Sequence, residues 1–182
     1  MLGRTRRIAA AIVAAAGLGI GSAVWAASGA SAASAAPADP AYCTNGQLAA
    51  WVDVGGGSGA AGTIYYPLEL TNVSRHPCSL IGYPGVSATN ASGKQLGDAA
   101  RRNPLYAARL VTVPAGGTVH VLFGYSDAEV GTSGCKPATA SLLRVYPPNL
   151  KGSALTFFSL PVCTVKNHTY LSVSVVRPGT GI

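Results

Sequence analysis

The sequence predicts an all-β domain, an antiparallel β-sandwich that is immunoglobulin-like in architecture and has about eight strands. Three observations lead to this prediction. Apolar and polar residues alternate with a period of two in several segments. Residues that favour turns, mainly Gly, Pro and Asn, separate these segments at short intervals. Beyond the apolar N-terminus, no segment shows the longer period of an amphipathic helix.

The clearest alternation covers residues 63–71, where one face is apolar and the other is polar. The apolar face comprises Ile64, Tyr66, Leu68 and Leu70. Pro67 falls on the polar face and predicts an edge strand or a bulge, because proline cannot donate to a strand ladder. Residues 118–125 alternate in the same way. Further strands are predicted over residues 48–53, 86–89, 109–113, 140–146, 154–160 and 170–176.

The N-terminus has the parts of a secretory signal peptide: arginines without acids, an Ala-rich apolar stretch and small residues in A-x-A triplets. We therefore expect a signal peptide over residues 1–35 and a short linker over 36–42. The β-sandwich domain then covers 43–178, and a frayed tail covers 179–182. An uncleaved anchor is the alternative for the first segment. After cleavage we expect no stable membrane span and a secreted, extracellular protein that associates with the cell wall.

Four cysteines lie beyond the expected signal peptide, namely Cys43, Cys78, Cys135 and Cys163. An even number in an exported chain indicates two disulfides, and four cysteines allow three connectivities. We expect neighbours in sequence to pair, Cys43 with Cys78 and Cys135 with Cys163, which closes two loops of similar size. The chain has no C-x-x-C, so neither a thioredoxin-like redox motif nor a compact zinc knuckle is expected.

Charge and motif content argue against several functions. Without the three arginines of the signal peptide, ten Lys and Arg residues face six Asp and Glu residues, a net charge of +4. These charges are scattered, so no nucleic-acid partner is expected. The histidines stand far apart in sequence, and we expect neither a metal site nor a cofactor. The glycine-rich run 55–62 lacks the Lys of a phosphate-binding loop and predicts a flexible hairpin loop.

A family resemblance appears in the order of three segments: GAAGTIYYPLELTNVSRHPCSLIGYPGV, VTVPAGGTVHVLF and LPVCT. Together they resemble domain of unknown function 4232 (DUF4232), found in secreted and envelope proteins of high-GC Gram-positive bacteria. The resemblance covers about residues 43–177. It implies a secreted or envelope β-sandwich with two disulfides and no assigned activity. The chain lacks the lipobox of many relatives.

The segment CSLIGYPGV, residues 78–86, predicts a corner between strands. Pro84 presets its φ angle and Gly85 can adopt a positive φ, which is the pattern of a type II turn. On this interpretation Gly85→Val is a folding mutation, because a β-branched residue is strongly disfavoured at positive φ.

The sequence predicts a non-catalytic binding or structural module of the cell envelope, and it predicts no enzyme. The alternatives are a secreted protease inhibitor and an unrecognised extracellular hydrolase. For a hydrolase the carboxylates to consider are Asp53, Glu69, Asp98, Asp127 and Glu129, but no nucleophile elbow is present. Arg101 and Arg102 form a pair in a basic connection that also contains Lys94 and Arg109. One interpretation of this segment is a solvated loop without a partner, and the alternative hypothesis is that the Arg101–Arg102 pair contacts an anionic cell-wall polymer. Another secreted protein is the alternative partner.

Overall fold

The computed structural model describes residues 39–182, in which twelve strands and one four-residue helix form. The signal-peptide prediction lies outside the described residues. Within them, no helix is long and apolar enough to cross a membrane. The all-β prediction is confirmed. The elements are β1 (Leu48–Val52), β2 (Ser58–Ala60), β3 (Thr63–Asn72), β4 (Cys78–Leu80), β5 (Gly85–Thr89), β6 (Arg101–Arg102), β7 (Val111–Val113), β8 (Thr118–Ser126), α1 (Asp127–Val130), β9 (Pro137–Tyr146), β10 (Ala154–Cys163), β11 (Leu171–Val173) and β12 (Arg177–Pro178).

The described strands form three sheets. The large sheet has seven strands in the order β1-β3-β8-β11-β6, with β2 paired to β3 and β12 paired to β8. A three-stranded sheet has the order β10-β9-β5, and β4 pairs with β7 in a two-stranded sheet. Strands β6 and β11 run parallel, and the other pairs are antiparallel. The large sheet carries most of the residues discussed below.

Strands β3 and β8 form the centre of the large sheet, and their predicted apolar residues lie opposite one another on one face. The other face, which includes Glu69 and His120, is buried as well. Leu68 of β3 lies opposite Val121 of β8, and both side chains are fully buried. Aromatic contacts join the face with Leu68 and Val121 to the three-stranded sheet. The Phe158 ring of β10 lies 5.0 Å from that of Tyr66 and 5.8 Å from that of Phe123, centroid to centroid, in edge-to-face geometry. Such pairs add stabilisation beyond the burial of their area.

The prediction that Pro67 marks an edge or a bulge is wrong, because β3 lies between β1 and β8. On the β8 side, the N–H of Leu122 opposite Pro67 donates to Ser174 Oγ at 2.9 Å and not to β3. On the other side, the Pro67 carbonyl accepts the N–H of Asp53 at 2.9 Å, just after β1 ends. An N–H at position 67 would point towards Asp53, which lies beyond the end of β1. The proline therefore costs no hydrogen bond between paired strands.

The predicted positive φ at Gly85 is also wrong. Gly85 begins β5 and pairs with Tyr146 of β9, which requires extended backbone. A Cβ added at Gly85 would meet the Tyr146 Cβ at 3.5 Å, an ordinary contact. The left-handed residue of this corner is Gly82, with a φ of 101°. The backbone reason for treating Gly85→Val as a folding mutation therefore applies to Gly82 instead.

Two short strands form where sequence patterns predict irregular chain. Strand β2 lies inside the glycine-rich run and pairs with the start of β3. Strand β6 pairs with β11 within the basic connection, a segment without a predicted strand. Strands this short are formed by hydrogen bonds to a neighbouring strand, so they need no alternation of their own.

Candidate functional site

The cysteines behave as two different pairs. Cys43 and Cys78 form a disulfide between the segment that precedes β1 and the first residue of β4, as predicted. Cys135 and Cys163 are not bonded to each other in the structure. They lie near each other, because Cys163 is opposite Pro137 at the end of the β9–β10 pair. Desolvation, followed by the influence of Cys163, raises the pKa of Cys135 to about 11. Because the thiolate is the reactive form, Cys135 is not an activated nucleophile.

A buried carboxylate and an imidazole lie side by side on the outer face of the large sheet. Glu69 of β3 is opposite His120 of β8, and their exposed fractions are 0% and 7%. Residues of the tail that was expected to fray cover the pair. The N–H of Gly181 donates to Glu69 Oε1 at 2.8 Å, and the His120 Nδ1 lies 3.0 Å from the Gly179 carbonyl oxygen. A carbonyl can only accept, so this contact places a proton on Nδ1.

The environment of Glu69 disfavours its charged form. Desolvation by burial is the main cause that raises its pKa, and the charge of Asp53 raises it further. The hydrogen bond from Gly181 and the nearby His120 lower the pKa, but they do not cancel the effect of burial. The second carboxylate oxygen, Oε2, is buried without a hydrogen-bond partner in the described part of the chain. Glu69 is therefore a buried carboxylate that a substrate cannot reach.

The other candidate carboxylates serve local structure or lie on the surface. Asp53 Oδ1 accepts the N–H groups of Gly55 and Gly56 at 3.0 and 3.1 Å, which shapes the turn after β1. Asp98 Oδ2 accepts the N–H of Asn167 at 2.6 Å. Asp127 and Glu129 are exposed in α1. Across residues 39–182, no group of three His, Cys, Asp or Glu side chains is placed to hold a metal ion.

Arg101 and Arg102 are exposed, but the structure does not bring their side chains together. Both belong to β6, and consecutive residues of a strand point to opposite faces. The Arg102 guanidinium carbon lies 5.5 Å from the centroid of the Tyr83 ring. Arg101 instead lines a small depression with Tyr65 and Ser172 on the large sheet. The hypothesis from the sequence is that the two arginines contact one partner together, but in β6 their side chains point to opposite faces.

Aromatic and apolar side chains accompany the basic segment. Leu105, Tyr106 and Leu110 are large apolar residues that remain exposed. The Arg177 guanidinium carbon lies 4.1 Å from the centroid of the Tyr106 ring, a cation–π contact. A groove of about 400 Å³ separates this segment from the end of the chain, and it is lined by Tyr106, Ala107, Arg109, Leu110, Val111, Val176, Arg177 and Pro178.

Sequence reasoning missed two of these features. Arg177 was not linked to the basic segment, because only the pairing of β12 with β8 brings the end of the chain beside it. Glu69 was correctly placed on the outer face of its strand, but its burial depends on the tail. Lys94, which the sequence grouped with the arginines, lies in the turn after β5, where its N–H donates to Asn90 Oδ1 at 2.8 Å.

The fold and the disulfide together define an all-β, disulfide-bonded domain with arginines on an exposed connection. The family model described as Domain of unknown function (DUF4232) matches residues 43–177, and the chain belongs to that family. No curated protein matches the chain. The matched segment includes both disulfide cysteines, the buried Glu69 and the Arg101 strand, and it ends before Gly179 and Gly181.

Proposed function

We propose that the protein is exported and acts outside the cell as a non-catalytic module that binds an anionic polymer of the cell envelope. The observation that carries this proposal is the exposed segment with Arg101, Arg102 and Arg109, which Arg177 joins from the end of the chain. Within residues 39–182, no acidic residue lines the groove or the depression beside these arginines. Guanidinium groups suit carboxylates and phosphates, because their planar fork donates two parallel hydrogen bonds.

Export is supported by two independent features. The N-terminal sequence has the charge, apolar stretch and small-residue exit of a signal peptide. The Cys43–Cys78 disulfide is also typical of proteins that fold in an oxidising compartment.

We also propose that the large sheet and the three-stranded sheet pack face to face as a sandwich. The contacts of Phe158 with Tyr66 and Phe123 support it, because these rings come from both sheets. The Phe158→Ala variant tests this arrangement. A buried aromatic between two packed sheets should cost about 3–5 kcal/mol of unfolding free energy when truncated. A loss below about 1 kcal/mol would contradict the sandwich.

We further propose that Cys135 and Cys163 form the second disulfide in the exported protein. Each thiol loses a proton, and the two electrons pass to a disulfide of the oxidising compartment, which is reduced to two thiols. The strand pairing supports this step, because Cys163 lies opposite Pro137, two residues from Cys135. Peptide mapping without reductant should recover a linked Cys135–Cys163 peptide. Free thiols at both positions in the secreted protein would contradict it.

Binding to isolated cell-wall polymer should be strong at low salt and weak at physiological salt. The contacts are made by exposed charges, and the Debye length falls from about 30 Å at 0.01 M to about 8 Å at 0.15 M salt. We expect the affinity to fall by roughly tenfold over this interval, measured by cosedimentation of the full mature chain. Neutral dextran is the control polymer and should bind at neither salt concentration. Equal binding to dextran, or binding that does not change with salt, would contradict the proposal.

A further inference from the structure

Four neighbouring strands of the large sheet place four residues in one row. Tyr65 of β3 lies opposite Gly124 of β8, Gly124 lies opposite Ser172 of β11, and Ser172 lies beside Arg101 of β6. Residues that are paired across neighbouring strands point to the same face of a sheet. This is the outer face, since Tyr65 alternates with the core-facing positions of β3. We call these four residues the Arg101 row.

Gly124 leaves room that the side chains of Tyr65 and Ser172 occupy. A Cβ at this position would lie 2.9 Å from the Cε1 atom of Tyr65, and it would also collide with the Ser172 hydroxyl. The edge of the Tyr65 ring therefore lies across the glycine, beside Ser172. Hydroxyl-bearing residues surround the depression, namely Thr63, Ser126, Thr169 and Tyr170. Its volume of about 20 Å³ is enough for one water molecule or one oxygen-sized group.

The polar groups of the row are available to a ligand. Arg101 is exposed, whereas Ser172 is only 6% exposed. Among the described residues, neither the Arg101 guanidinium nor the Ser172 hydroxyl forms a side-chain hydrogen bond. No carboxylate lines the depression, so Arg101 has no acidic neighbour there. A positive group, a hydroxyl and an aromatic ring thus converge on one small space.

We propose that the Arg101 row is a subsite for a sugar unit that carries a negative charge. The carboxylate or phosphate of the sugar accepts hydrogen bonds from the Arg101 guanidinium. A ring hydroxyl enters the depression at Ser172, and the apolar body of Tyr65 packs against the C–H surface of the sugar. The inference rests on the proposed function and narrows its polymer to an acidic glycan.

The same geometry excludes Arg102 from the subsite and makes it a matched control. Arg102 pairs beside Val173, so its side chain leaves the strand on the opposite face, where it lies against Tyr83. Arg101→Ala and Arg102→Ala remove the same charge from adjacent exposed positions. Arg102→Ala also loses the contact with Tyr83, so the melting temperature of each variant is measured first. A difference in binding between the two folded variants then reports which face of β6 holds the ligand.

The experiment measures binding of the full mature chain to polygalacturonate, to a phosphorylated dextran and to neutral dextran at low salt. The Arg101→Ala variant should bind the acidic polymers at least roughly tenfold more weakly than the wild type, because it loses charge-assisted hydrogen bonds. The Arg102→Ala variant should lose clearly less affinity than Arg101→Ala, since it keeps the subsite and loses one charge of the wider basic segment without any charge-assisted hydrogen bond of the row. A preference for polygalacturonate or for phosphorylated dextran identifies the anionic group as carboxylate or phosphate.

A titration with galacturonate, galactose 6-phosphate and galactose, followed by NMR, separates this inference from the proposed function. We expect either acidic sugar to shift the signals of the Arg101 side-chain N–H and the Ser172 amide selectively, and galactose to shift neither. This result supports a sugar subsite at the Arg101 row even if no polymer binds. If the wild type binds acidic polymer and both arginine variants weaken equally, the row is overturned and the proposed function stands. If neither polymers nor acidic sugars bind, both are overturned.

Discussion

The Cys78→Ala variant is expected to lose about 4 kcal/mol of unfolding free energy. Cys78 is bonded to Cys43 across a sequence separation of 35 residues. In the chain-entropy description, a cross-link of this span removes conformational entropy from the unfolded ensemble and raises its free energy by about that much. Both cysteines are also buried, with 2% exposure each, so truncation loses packing as well. The loss is a large fraction of the total stability of a typical domain.

Urea unfolding of the secreted variant measures this loss. The Cys43→Ala/Cys78→Ala double variant is the control, because the same bond is absent and no unpaired thiol remains. It should be destabilised about as much as the single variant, since the two changes share one interaction. A loss below about 1 kcal/mol in both variants would contradict a stabilising role for the disulfide.

The Glu69→Gln variant is expected to be more stable than the wild type at neutral pH, by about 1–3 kcal/mol. Glutamine keeps an oxygen that accepts the N–H of Gly181. It also removes the charge whose second oxygen, Oε2, has no partner among the described residues. An unsatisfied buried charge carries a desolvation cost of at least this size.

The sign of the pH dependence follows from the raised pKa of Glu69. Between the ordinary pKa of a glutamate, 4.5, and the raised pKa of the folded state, the folded state holds a proton on Glu69 that the unfolded state has lost. Wild-type stability therefore falls as pH rises from about 4.5 through the raised pKa of the folded state. The Glu69→Gln variant lacks this fall, so the two stability curves should converge at acidic pH and separate towards neutral pH.

Thermal unfolding across this pH range measures the difference between the two curves. Glu129→Gln makes the same chemical change at an exposed position of α1, and it should leave the wild-type pH dependence unchanged. If Glu69→Gln has the same slope with pH as the wild type, the buried carboxylate is not responsible for the dependence.

Local patterns identified the main strands because their information lies within a few residues. The period-two alternation predicted β3 and β8 almost to their bounds. This succeeded because one face of each strand packs into the apolar core, and the hydrophobic effect selects apolar residues at every second position. The family and the Cys43–Cys78 pair were also correctly predicted from the sequence.

Features that depend on a distant partner were not predictable in the same way. Pro67 has the character of an edge residue, yet it occupies an inner strand because β1 ends beside it. Gly85 has the character of a turn residue, yet pairing with Tyr146 makes it extended. In both cases the hydrogen bonding of a remote strand outweighs the local preference of the residue.

The sequence by itself determined the all-β class and the principal strands, because apolar periodicity is a local property of the chain. It predicted the Cys43–Cys78 pair correctly but left three connectivities open, and the structure decided between them. Only the tertiary structure decided how charged side chains are used. It separates Arg101 from Arg102 through the pairing of β6 with β11, and it buries Glu69 beneath Gly181. The physical reason is that burial and the direction of a side chain depend on which strands and tail residues lie beside it, and those neighbours come from far along the chain.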